Sequence, residues 1–291
     1  MIIPINKPAG ITSHTVVNKL RRFYGIKKIG HAGTLDPFAT GVLILLVGRD
    51  STKRSEEFMK QDKIYRTKLK LGFISDTYDK DGVIQEYNTD IIPTQEQLES
   101  IINQFIGEIE QIPPMYSALK FEGRPLYEYA REGIEIERKS RQIKIFDIKL
   151  INIEKSIITI EVLCSKGTYI RTLAEDIGQT MGCGAHLKGL ERTQTGNFQL
   201  SKALSIEALE AMPMASREKA LMPIDVLLEE LSSIKLNMAE LDAIKKGQSI
   251  DFNSKNDKEV RLYSPSGQFV GVGQPDLKGR LFPKRLIAKI L

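Results

Sequence analysis

The run from Ala39 to Gly48, Ala-Thr-Gly-Val-Leu-Ile-Leu-Leu-Val-Gly, constrains this chain more than any other stretch. It has strand length, is apolar at every position from Val42 to Val47, and closes on glycine. That pattern suits a strand buried on both faces, although periodicity by itself also fits a buried helix. Immediately before it stands Gly30-His31-Ala32-Gly33-Thr34-Leu35-Asp36-Pro37. Glycines permit tight or positive-φ turns, and Pro37 fixes φ just behind the acid, so Asp36 is a carboxylate on a stiffened bend. Asp-Pro is also an ordinary turn pair. A rigid buried element beside a polar loop is how a scaffold holds one reactive side chain in place.

The octet, followed by Ala39-Thr40-Gly41, resembles the signature of the TruB family of tRNA pseudouridine synthases. The resemblance places the family's catalytic aspartate on Asp36. It extends over roughly residues 2–232, and Gly30–Pro37 and Lys166–Arg171 are its most specific parts. The opening segment, with Lys7, Pro8, Gly10 and Ser13, matches the start of the family's catalytic domain.

Composition sets outer bounds. Hydrophobic residues at 41% and charged residues at 27% suit a globular chain, and no apolar run approaches the ~20 residues of a membrane span. The N-terminus lacks the basic-then-apolar pattern of a signal peptide, so the expected compartment is the cytoplasm. Cys164 and Cys183 read as reduced, partly buried thiols. Net charge is +5, a mild excess whose clustering says more. Lys19, Arg21, Arg22, Lys27 and Lys28 precede the octet, and Lys278, Arg280, Lys284, Arg285 and Lys289 end the chain. Such clusters suit a nucleic-acid backbone or a solvated charged face.

Ser13 reads as the N-cap of a helix with Val16, Val17, Leu20 and Phe23 on one face. A polar, helical link from Ser51 to Asp62 leads to Ile64–Phe73, which alternates cleanly as a half-buried strand. Tyr65 shares a face with Thr67, Leu69, Leu71 and Phe73, and it reads as either a core aromatic or a stacking platform. Residues 74–92 form a loop with a hairpin turn. Its acids Asp76, Asp79 and Asp81 lack the closing glutamate of a calcium loop. Thr94-Gln95-Glu96-Gln97 is a capping box heading an amphipathic helix.

Residues 110–142 interleave Tyr116, Tyr127 and Tyr129 with Lys120, Arg124, Arg131, Arg138, Lys139 and Arg141. That composition suits single-stranded RNA, or a surface excursion with snorkelling side chains. Strands follow at 142–153 and 157–164. In Ser165–Asp176, an extended course through 169–171 would project Tyr169 and Arg171 to one side, and an Arg there grips a carboxylate with two parallel hydrogen bonds. Cys183 and His186 lack further ligands to complete a zinc site. Residues 205–232 read as helical, a boundary falls near 231–236, and the glycine-punctuated remainder reads as a small barrel.

The resemblance implies the rest. The fold class is α+β: a mixed, mostly antiparallel sheet flanked by helices, with an RNA-clamping insertion at 110–142 and a small PUA-like β-barrel. Residues 1–232 would be catalytic and 233–291 RNA-binding. The activity would be conversion of uridine 55 in the T loop of tRNA to pseudouridine, with Asp36 paired to Arg171, which would lower its pKa by ~1–3 units. Tyr169 would sit against sugar and base, Tyr65 would stack, His31 would hold displaced RNA, Leu190 would line the uridine pocket, and Lys7 would contact substrate. Glu191 stands where the family usually has arginine, leaving Arg192 for the phosphate. No cofactor, metal, membrane or protein partner is implied, and the chain would act as a monomer on the tRNA T stem-loop. Two other classes stand beside this reading: an RNA-binding, tRNA-folding chaperone with an idle site, and a glycoside hydrolase, for which no second acid stands at a comparable loop.

Overall fold

The computed structural model describes residues 1–91, 93–253 and 257–287. The apolar run forms strand Thr40–Val47 at the heart of a ten-stranded sheet. Along its main path the order is Leu204–Ser205, Ile2–Lys7, Thr40–Val47, Ala185–Thr195, Lys63–Leu71, Ile157–Cys164, Arg141–Glu154 and Gly107–Gln111. Only the first pairing and that of Thr40–Val47 with Ala185–Thr195 are parallel along this path. The strand is buried on both faces, as its composition requires. Leu43, Leu45 and Val47 pack toward Val16, Val17 and Leu20, while Val42, Ile44 and Leu46 pack with Phe58 and Ile224. Each such side chain contributes roughly 1.5–3 kcal/mol by leaving water, which makes this strand a rigid support for whatever its neighbouring loop carries.

Sequence-based boundaries differ from the structure at instructive places. The first helix, Ser13–Tyr24, is capped by Thr12, whose side chain accepts from Thr15 N–H. Ser13 serves the loop that carries Asp36 instead: its hydroxyl accepts from Leu35 N–H at 2.9 Å and donates to Leu35 C=O at 3.0 Å. The polar link resolves into helices Arg49–Lys53 and Ser55–Met59. The capping box at Thr94 forms with both reciprocal hydrogen bonds. Among the described residues no helix is long and apolar enough to cross a membrane.

Gly41 is the tightest point of the sheet. It has φ +106° and lies opposite Arg192 in the parallel pairing, where a Cβ would stand 2.2 Å from the Arg192 carbonyl oxygen. Backbone cannot retreat as a flexible side chain does. Gly41→Ala is therefore expected to destabilise the chain by roughly 3 kcal/mol or more, or to prevent folding. Urea denaturation measures this, and an unchanged midpoint would contradict the packing described.

The C-terminal unit is a five-stranded half-barrel, ordered Ser233–Lys235, Val260–Tyr263, Phe269–Pro275, Arg280–Leu286 and Ile250–Asp251. Helix Met238–Lys245 closes its core of Leu236, Leu241, Ile244, Val260, Leu262, Val270 and Leu281. The C-terminal basic cluster is largely engaged within the chain: Arg280 pairs with Asp251, Lys284 with Glu259, and Arg285 with Glu57 and Glu259. Lys289 lies outside the described residues. By contrast, Arg22, Lys27 and Lys28 stay exposed around the first helix, with Lys19 partly exposed beside them.

Candidate active site

The loop bearing Asp36 is held by groups from distant parts of the chain. Pro37 C=O accepts from Gly10 N–H at 2.8 Å and from Lys7 Nζ at 3.2 Å. Lys7 also donates to Pro8 C=O and Ile11 C=O, both at 2.8 Å. Its side chain is fully buried, and burial pushes its pKa down to about 8. Lys7, expected to contact substrate, donates here to backbone carbonyls and fastens the loop. Arg192, the cation left for the phosphate in the sequence, is buried, with Nε donating to Val42 C=O at 2.7 Å and Nη2 to Gly33 C=O at 2.9 Å. Gly33, at φ +80°, leaves room for that guanidinium: a Cβ there would stand 3.3 Å from Nη1.

This frame presents Asp36 with its side chain 33% exposed, while Arg171 beneath it is only 5% exposed. Arg171 Nε lies 3.0 Å from Asp36 Oδ2, and Nη2 donates to Oδ1 at 3.4 Å. The remaining donors are also engaged: Nη2 with Tyr116 C=O at 2.7 Å, and Nη1 with Thr77 C=O at 3.2 Å. Arg171 does not continue an extended strand, as its sequence suggested. Helix Ile170–Thr180 starts immediately after Tyr169, so Arg171 lies in its first turn. The helix aims the guanidinium at the loop by a different backbone from the one expected.

Sequence reasoning missed a second carboxylate. Asp79 Oδ2 lies 3.5 Å from Arg171 Nη1, with a side chain only 6% exposed. Its Oδ1 accepts from Thr77 Oγ1 at 2.7 Å and from Asp81 N–H at 3.0 Å. In the sequence Asp79 stands among other loop acids, and only its local turn, with Thr77 and Asp81 amide as donors, hinted that it was spent internally. One guanidinium thus serves two acids, and only Asp36 can meet a substrate. A glycoside hydrolase needs both carboxyl groups at the scissile bond, so the sealing of Asp79 argues against that class.

The electrostatics correct the expected pKa. Burial pushes Asp36 above the ordinary carboxylate value, with Asp79 and Asp81 adding to it, and Arg171 and Lys7 only partly oppose the rise. Desolvation outweighs the attraction of the guanidinium. His31 is pushed down by burial and by the nearby Arg192, which favours the neutral imidazole, and its Nε2 lies 3.0 Å from Thr34 Oγ1. Tyr65, on the buried face of its strand, pairs across the sheet with Arg192, and burial raises its phenol pKa. Its hydrophobic cluster includes Leu35 and Leu190. Tyr169 is half-buried, and Gln111 holds its backbone by two hydrogen bonds at 2.7 and 3.0 Å.

Known proteins resemble this chain along nearly its whole length. Residues 21–170 match the model of the TruB family pseudouridylate synthase N-terminal domain. Residues 171–229 match the tRNA pseudouridylate synthase B C-terminal domain, and 232–287 match the pseudouridine synthase II TruB C-terminal model. The chain is 46% identical over 288 residues to tRNA pseudouridine synthase B of Azoarcus sp., covering 99% of this chain and 94% of that protein. It is 43% identical to the protein of the same name from Hydrogenovibrio crunogenus, covering 98% and 93%. A chain in the structure of an H/ACA RNP bound to a substrate RNA containing 2′-deoxyuridine shares the fold, with TM-score 0.71 and 21% identity over 99% of this chain and 85% of that one. With the N-terminal model spanning the Asp36 loop and both C-terminal models following it in order, this chain belongs to the TruB family of pseudouridylate synthases.

Proposed function

We propose that this chain isomerises uridine 55 in the T loop of tRNA to pseudouridine. The observation that carries the reading is the Asp36 carboxylate, gripped on both oxygens by a buried Arg171 yet one third open to solvent. The names of the relatives support the tRNA substrate. The reaction breaks the bond from C1′ to N1, turns the freed uracil, and joins C5 to C1′. No atoms are gained and no redox change occurs, so the chemistry calls for no cofactor.

The uridine must leave its stack, at a cost of a few kcal/mol. Tyr65 replaces the lost stacking, His31 supports the displaced RNA, Leu190 lines the base pocket, and Tyr169 lies against sugar and base. Ionised Asp36 either attacks C1′ or removes a proton in a glycal-forming elimination, and both routes begin from the same carboxylate. Residues 1–232 act as the catalytic unit and 233–291 as an RNA-binding unit. The 110–142 insertion closes over the T loop, and the protein works as a cytoplasmic monomer. The idle-site chaperone has no observation in its favour, since the acid and its counter-ion are both in place.

The test is incubation with a tRNA transcript carrying tritium at uridine C5. Tritium release with pseudouridine mapped at position 55 supports the reading. Binding without release would favour the chaperone, and release from another position would change the assigned site.

A further inference from the structure

The segment that leaves the sheet at Gln111 and rejoins it at Arg141 is anchored at its root beside Tyr169 and Arg171. Gln111 ends strand Gly107–Gln111, and it is only 2% exposed. Its Oε1 accepts from Tyr169 N–H at 2.7 Å, and its Nε2 donates to Tyr169 C=O at 3.0 Å. A backbone N–H can only donate and a carbonyl only accept, so the two partners fix which end of the amide is which. Tyr169 is extended, at φ −97° and ψ 106°, and helix Ile170–Thr180 starts after it without a side-chain cap. Gln111 therefore pairs with Tyr169 as a neighbouring strand would, at the point where the chain turns into that helix.

Two residues further on, Arg171 Nη2 donates to Tyr116 C=O at 2.7 Å. Between Gln111 and Tyr116 the chain runs through Pro113 and Pro114, both buried, whose rings fix φ. A stiff run thus meets Tyr169 at one end and Arg171 at the other. We infer that Gln111 is a positioning residue for the isomerisation: by gripping both backbone groups of Tyr169, it sets the place of that ring and the start of the helix that aims Arg171 at Asp36. The inference rests on the pseudouridine-synthase reading and extends it to a side chain that acts through its neighbours. The root of the insertion then has a role of its own, as a template for the cleft.

Gln111→Met keeps the length of the side chain and removes both hydrogen bonds. Under single-turnover conditions with saturating tRNA it is expected to lower the rate by about tenfold to a hundredfold, the loss that a small displacement of the reacting groups brings. tRNA affinity should stay within about twofold, because phosphate contacts elsewhere supply most of it. Thr94→Ala is the comparator: it opens the capping box of helix Gln95–Asn103, lowers the melting temperature and leaves the rate unchanged. Rates are read at a temperature where circular dichroism finds both variants folded. A smaller loss in Gln111→Met would overturn the inference, as would a loss confined to tRNA affinity or one matched by Thr94→Ala. If Gln111→Met does not fold, Gln111→Asn is read by the same criteria, since its amide keeps the polarity but is one methylene too short to hold both groups. A wild-type chain that converts no uridine in tRNA would instead reject the functional reading itself.

Discussion

Asp36→Asn is expected to lower the single-turnover rate of pseudouridine formation by roughly 10³-fold or more. tRNA affinity should stay within about twofold, because phosphate contacts elsewhere supply most of it. The substitution keeps the volume and removes the charge. The amide still fits the loop fixed by Ser13, Lys7 and Gly10, so the fold survives while the nucleophile or base is lost. Tritium release from C5 reads the rate, and filter binding reads the affinity. Release near the wild-type rate would remove Asp36 from the chemistry. The same group sets a pH dependence. In the proposed mechanism the ionised form is the active one, and burial raises its pKa above the ordinary carboxylate value. Activity is therefore lost as pH falls through that raised value, and the acidic limb of kcat/KM should lie above the ordinary carboxylate range.

Arg171→Met is expected to cost both stability and activity. Its guanidinium is 5% exposed and serves Asp36, Asp79, Thr77 C=O and Tyr116 C=O together. Removing the cation leaves Asp79 sealed without its counter-ion, which costs about 3–5 kcal/mol in comparable buried pairs. Arg171 pulls the Asp36 pKa down, so its loss moves that pKa further up and shifts the acidic limb to higher pH. Adding Asp79→Asn to Arg171→Met should recover part of the stability and none of the activity. Arg171→Lys is also expected to fail, because a single ammonium cannot reproduce the planar fork that meets these acceptors. Urea denaturation and the pH profile of kcat/KM measure both effects. A variant with wild-type stability and an unmoved acidic limb would show that this guanidinium does not join the two acids.

The elements with strong local signals were legible in the sequence. Val42–Val47 has no polar residue to give an exposed face, so it had to be buried on both sides, and it is. Lys63–Leu71 alternates, and its buried face carries Tyr65, Thr67, Leu69 and Leu71 as the alternation required. The Thr94 capping box depends on residues three apart and formed as read. The pairing of Asp36 with Arg171 entered through the family resemblance, and the structure brings the two groups within 3.0 Å.

Other features could not be read because they depend on groups far apart in the chain. Lys7 and Arg192 look like RNA contacts in a sequence, where any cation does. Only the fold reveals that carbonyls of the active-site loop and its adjoining strand consume their donors. Asp79 is one of several loop acids until Arg171 arrives beside it.

By itself the sequence determined the buried strand, the stiffened bend behind Asp36 and the secondary elements with strong local signals, because these follow from side-chain patterning and backbone restriction within a few residues. Only the tertiary structure decided which charges are spent inside the protein and how far Asp36 is desolvated. Burial and Coulomb interaction depend on distances that the fold sets between residues as remote as 36, 79 and 171.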